Sequence, residues 1–169
     1  IGGVKGGYGP EVLDALTKVA TKWKPNLVQI EQNYGNGAFK SIWEPHLIKE
    51  HACSIEEVWE TGQKELRIID ILEPVLSSGR LIMDEETINE DMKWLQRYSV
   101  QDRASYSLFY QMARITRDKN SLIHDDRLDA LAGSVRYWVD MLRLDEEKVR
   151  AAAQKEAYKK LMSNPLGNG

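Results

Sequence analysis

A five-residue run, Leu27-Val28-Gln29-Ile30-Glu31, lies between two segments of helical apolar spacing and constrains the fold more than any other stretch. Short, mostly apolar runs of this kind form the strands buried in α/β sheets, where cover on both faces removes the need for strict alternation. Upstream, Pro10 suits a first helical position, and Val12, Leu13, Leu16, Val19 and Ala20 recur at helical spacing to about Lys22. Pro25-Asn26 break that helix. Downstream, residues 38–50 place Phe39, Ile42, Trp43, Leu47 and Ile48 on one face, with Pro45 as a kink or restart. Residues 54–59 alternate weakly and read as a second strand, closed by Gly62. Helical spacing returns over residues 64–76 and 87–98, and Leu81-Ile82-Met83 between them is a candidate strand. Over residues 106–115 apolar side chains are too dense for period to separate helix from strand, and helix is preferred. Helices alternating with short strands predict an α/β domain.

The second constraint is electrostatic. In His124-Asp125-Asp126-Arg127-Leu128-Asp129-Ala130-Leu131, three carboxylates crowd the first turn and a half of a helix expected to run to about Leu142. Unpaired N–H groups and the macrodipole favour negative charge at such an end. Asp126 and Asp129, three apart on one face, nevertheless repel unless a cation or proton intervenes. The stretch requires a counter-charge. Residues 145–162 follow, charged nearly all round, and predict a separate exposed helix with a flexible tail after it. The expected division is a domain over residues 1–143 and a charged helix and tail over 144–169.

Composition narrows the classes. With 169 residues and 42% hydrophobic content the chain is long enough for one cored domain. A formal net charge of −3 leaves room only for a local basic patch toward nucleic acid. The single cysteine, Cys53, excludes an internal disulfide framework and a multi-cysteine zinc site, and reads as a small buried hydrophobe. No apolar run approaches the roughly 20 residues of a membrane-crossing helix. The glycine-rich residues 1–9 read as a strand end entering a loop, without the pattern of a phosphate cradle. Beginning on Ile1 rather than methionine, the chain fits a segment of a longer polypeptide.

Glu31 ends its strand at the carboxyl edge, where ligand and catalytic groups of open α/β sheets gather. Grouped with Asp125, Asp126 and Asp129 it makes an all-oxygen donor set suited to Mg²⁺ or Mn²⁺. Two such ions about 3.5–4 Å apart support phosphodiester hydrolysis. Each residue also has an ordinary reading: Asp125 as a helix cap, Asp126 as a favourable first-turn carboxylate, Glu31 as a rim carboxylate, Arg127 as a partner neutralising the cluster. Arg114, Arg117, Lys119 and Arg127 form the best cationic group for phosphate, with a solvated loop as the alternative. His46, His51 and His124 lack zinc spacing; His124 either touches a metal-bound water or a phosphate, or caps the helix entry. The five tryptophans read as packing.

The segments Ile30-Glu31-Gln32-Asn33-Tyr34-Gly35-Asn36-Gly37, Leu72-Glu73-Pro74-Val75-Leu76, Tyr106-Ser107-Leu108-Phe109-Tyr110-Gln111 and the stretch from His124 to Leu131 together resemble the nuclease domain of the large terminase subunit of tailed, especially short-tailed, bacteriophages. The resemblance implies an α/β, ribonuclease-H-like fold with a central mixed sheet flanked by helices, lacking its first strand or strands in this chain. It implies a two-metal endonuclease, using Mg²⁺ or Mn²⁺, that cuts concatemeric double-stranded viral DNA during packaging in the host cytoplasm. Portal protein and terminase small subunit are the implied partners. The family's second acidic position falls on Glu31, and its third on Asp126, with Asp129 next and Asp125 supporting; Asn33 and His124 are implied neighbours of the site. The family's first acidic residue would precede Ile1. So would its ATP-hydrolysing motor, so ATP is not expected as a ligand of this chain. A non-catalytic docking module working through residues 145–162, and a junction-resolving nuclease, are the alternatives.

Overall fold

Residues 7–32 and 37–163 are described in the computed structural model. Within them the order is α1 (Pro10–Trp23), β1 (Leu27–Glu31), α2 (Ala38–Glu50), β2 (Ser54–Val58), α3 (Lys64–Ser77), α4 (Glu85–Leu95), a 3₁₀ turn (Arg103–Tyr106), α5 (Leu108–Arg114) and α6 (Asp126–Ser163). The two strands pair in parallel, Leu27 opposite Ser54 and Glu31 opposite Val58. Parallel neighbours need a crossover between them, and α2 lies in it. The expected loop at residues 1–6, Asn33 and the tail at 164–169 lie outside the described residues.

Side chains alternate across a strand, and β1 uses both faces. Val28 and Ile30, with Ile55 of β2, pack against Leu13 and Ala20 of α1 and the stripe Phe39, Trp43, Leu47 of α2. Leu27, Gln29 and Glu31 face the other way. On α1 the buried place falls to Thr17 rather than Val19, which is 51% exposed. Thr17 is tolerated there because its hydroxyl donates to the Leu13 carbonyl at 2.8 Å and accepts the Trp43 Nε1–H at 2.9 Å. A second core joins Ile68 and Leu72 of α3, Leu108 of α5, and Leu128 and Ala132 of α6.

Several expectations change. Leu81-Ile82-Met83 is not a strand, and Ile82 stands 87% exposed. Within residues 106–115 the preferred helix is α5 over Leu108–Arg114, with Tyr106 ending the 3₁₀ turn and Ser107 and Ile115 extended. The helix expected to stop near Leu142 continues through the next segment as one helix of 38 residues, so the 143/144 boundary falls inside it. No glycine or proline interrupts the junction, and the pairs Asp140–Arg143, Asp145–Lys148 and Glu156–Lys160 support its solvated length. Of the tryptophans, Trp43 is core, while Trp23, Trp59 and Trp138 are 63%, 61% and 64% exposed. Trp23 closes α1, Trp59 follows β2, and Trp138 sits where α6 leaves the core, so none has a packed layer above it. Cys53 packs partly buried against the first core, and burial pushes its thiol pKa up. No helix among the described residues is long and apolar enough to cross a membrane.

Candidate acidic groove

The first turn of α6 is held from several directions. The Asp129 N–H donates to the Asp125 carbonyl at 2.9 Å, which starts the helix. One of the unpaired donors of that turn, the Leu128 N–H, is met by Oε1 of Gln111 at 3.1 Å, a side chain 1% exposed. Arg127 turns inward to a buried ion pair with Asp91 of α4, which also accepts the Ser107 hydroxyl at 2.8 Å. The His124 ring stacks on Tyr106 at 3.8 Å, and Tyr106 stacks on Tyr98 at 3.8 Å.

The counter-charge comes from α3. Lys64 Nζ lies 2.8 Å from Asp125 Oδ1 and 3.2 Å from Asp129 Oδ2. Arg67 reaches Asp129 Oδ1 at 2.7 Å and Glu60 at 3.4 Å, and Arg136 of α6 clasps both oxygens of Glu60. Lys64 and Arg67, three apart on α3, face Asp125 and Asp129, four apart at the start of α6, so each row presents one face to the other. Burial pulls the Lys64 pKa down, but the hydrogen bond and charge of Asp125 and the charge of Asp129 outweigh it and hold it above the ordinary lysine value. The hydrogen bond to Glu60 likewise raises Arg136.

Arg127 therefore does not neutralise the acidic turn. With its guanidinium only 9% exposed and spent on Asp91, it is not presented to a phosphate either, which corrects its place in the cationic set. Arg117 is exposed and paired with Asp70 at 3.2 Å and Glu73 at 3.3 Å. The Arg114 guanidinium lies 5.8 Å from the Tyr110 ring centroid, and Lys119 is exposed. These three stand on and after α5, outside the groove.

The groove itself, about 740 Å³, lies between the second face of β1 and the start of α6. Gln29 and Glu31 line it from the strand, Asp126 and Asp129 from the helix, with Glu60 and Lys64 between. Asp126 is exposed, and its carboxylate has no hydrogen bond or ion pair with the described residues. Asp125, engaged by Lys64, does not line the groove.

The candidate donors are all carboxylate oxygens, the chemistry of a hard divalent cation, and an ammonium already stands between Asp125 and Asp129 in a cation's place. As the side chains stand, however, the described residues contain no group of three Asp, Glu, His or Cys able to hold a metal ion. Sequence reasoning missed Lys64, Arg67, Glu60 and Arg136. The unmet charge at 125–129 asked for such partners, and two cations three apart at a helix start were the available signal. Asp91 and Gln111 carried no signal, because packing alone buries them.

The chain is an α/β domain that brings a strand-end carboxylate and a helix-start acidic turn to one groove. Residues 1–81 match the family described as Terminase Bacteriophage T7, Ribonuclease H-like domain, a match that takes in Glu31 and ends before the acidic turn. Over 165 residues the chain is 40% identical to the terminase large subunit of Enterobacteria phage T3, a match covering 98% of this chain and 28% of that protein. The chain is thus similar in its first 81 residues to a ribonuclease-H-like terminase domain, and it spans 28% of the length of that large subunit.

Proposed function

We propose that this domain is a metal-dependent endonuclease cutting concatemeric double-stranded DNA during viral genome packaging. The reading rests on one observation: Glu31 lines the groove from β1, and Asp126 and Asp129 line it from α6. Glu31 and Asp126 are the residues to hold Mg²⁺ or Mn²⁺, with Asp129 completing the set and Asp125 supporting it through the shared Lys64 contact. Two ions bound there would lower the pKa of a water and stabilise the leaving oxygen. Hydrolysis forms a bond from the water oxygen to phosphorus as the bond to one sugar oxygen breaks, and no protein nucleophile is needed. The fixed first turn of α6, pinned by Gln111 and Asp91, orients Asp126 and Asp129 from one side. Arg114, Arg117 and Lys119 are candidate contacts for the flanking phosphates, and His124 lies next to the turn. Portal protein and terminase small subunit are the proposed partners, and the host cytoplasm is the proposed place of action.

The test is nicking of supercoiled plasmid in Mn²⁺ or Mg²⁺. Glu31→Gln and Asp126→Asn are expected to reduce the rate at least about 100-fold while far-UV circular dichroism stays unchanged, in line with loss of a group stabilising the transition state. Equal cleavage in EDTA, or full activity of both variants, refutes the reading.

A further inference from the structure

The acidic turn already holds a cation, and that cation is a side chain. Lys64 Nζ bridges Asp125 and Asp129 at 2.8 and 3.2 Å, inside the groove that Asp126 and Glu31 also line. We propose that Lys64 is a resident competitor for a divalent cation: its ammonium occupies the acidic turn in the empty groove and withdraws when the ion enters. The inference rests on the metal reading above and specifies how that same site is regulated.

Three observations single out Lys64 rather than its neighbours. Arg67 is held at both ends, between Asp129 and Glu60, and is 15% exposed; Arg136 forks onto Glu60. Such planar, doubly engaged guanidinium groups are fixed, whereas an ammonium on a four-carbon stem is a mobile point charge. Lys64 is 35% exposed, so water can receive it. It is also the first residue of α3, where the macrodipole disfavours positive charge, so the carboxylates alone keep it in place.

The experiment measures Mn²⁺ binding by the free-ion electron paramagnetic resonance signal, on the whole chain, for wild type, Lys64→Gln and Lys64→Arg. Lys64→Gln is expected to bind Mn²⁺ about threefold to tenfold more tightly, the ratio that about 0.7–1.4 kcal/mol of lost competition gives. Lys64→Arg, which keeps the charge and adds a fork, is expected to bind more weakly than Lys64→Gln. Melting curves establish that each variant folds, and the arginine variant carries the comparison if the glutamine variant does not: it should then bind no more tightly than wild type. In wild type, the Lys64 Cε–Hε NMR signal is expected to shift on Mg²⁺ addition. Measurable but equal Mn²⁺ affinity in all three proteins, or weaker binding by Lys64→Gln, overturns the competitor role and leaves the metal reading standing. Absence of Mn²⁺ binding from all three overturns both.

Discussion

Replacing Asp91 should unfold the site before it touches the chemistry. Asp91 is 1% exposed and Arg127 9%, and their ion pair ties α4 to the turn that carries Asp126 and Asp129. Asp91 also accepts the Ser107 hydroxyl at 2.8 Å and the Leu108 N–H at 3.4 Å. Asp91→Ala leaves a buried guanidinium whose Nη2 already has no partner among the described residues. Removing one partner of a buried pair costs about 3–5 kcal/mol. At about 2–4 °C per kcal/mol for a chain of this size, the melting temperature should fall by about 6–20 °C. Asp91→Asn keeps the shape and loses the charge, for about 1–3 kcal/mol. The double variant Asp91→Leu with Arg127→Met replaces the pair by apolar packing and should recover most of the loss. Urea titration followed by far-UV circular dichroism measures all three. A loss under about 1 kcal/mol for Asp91→Ala refutes the argument, since a buried unpaired charge would then carry no penalty.

Two further perturbations follow from the packing. Glu65 is held below the ordinary carboxylate range by its own backbone N–H and that of Asn120, and Asp84 by the hydroxyl and N–H of Thr87. The unfolded chain therefore binds protons at these groups first, so their stabilisation is complete above about pH 5 and is lost as pH falls through their lower folded values. Urea midpoints should be flat from pH 8 to 6 and fall in acid, and the double variant Glu65→Gln with Asp84→Asn should flatten that fall; an unchanged acid slope contradicts the assignment. Thr17→Val strands the buried Trp43 N–H, now bonded at 2.9 Å, and should cost about 1–3 kcal/mol by chemical denaturation. A neutral result would mean that the indole finds another acceptor.

Local periodicity made α1, α2 and α3 legible, because the apolar spacing that forms a helix is written within a few turns of chain. The β1 run and the placement of Glu31 at its end were legible for the same reason. The requirement for a counter-charge at 125–129 was also local, since it follows from three carboxylates on one helix start. Lengths and exposures were less so: Leu81-Ile82-Met83 has a strand's composition but forms none, and α6 runs through a boundary that composition alone suggested.

By itself the sequence determined the α/β alternation, the strand-end carboxylate and the presence of an unbalanced acidic turn. Tertiary structure decided which cation answers that turn. Arg127, adjacent in sequence, is claimed by Asp91, while Lys64 and Arg67 come from 61 and 62 residues away. Coulombic attraction has no sequence index. Which opposite charges meet depends on how α3 packs against α6 through Ile68, Leu72, Leu128 and Ala132, and that packing also opens the groove between β1 and the acidic turn.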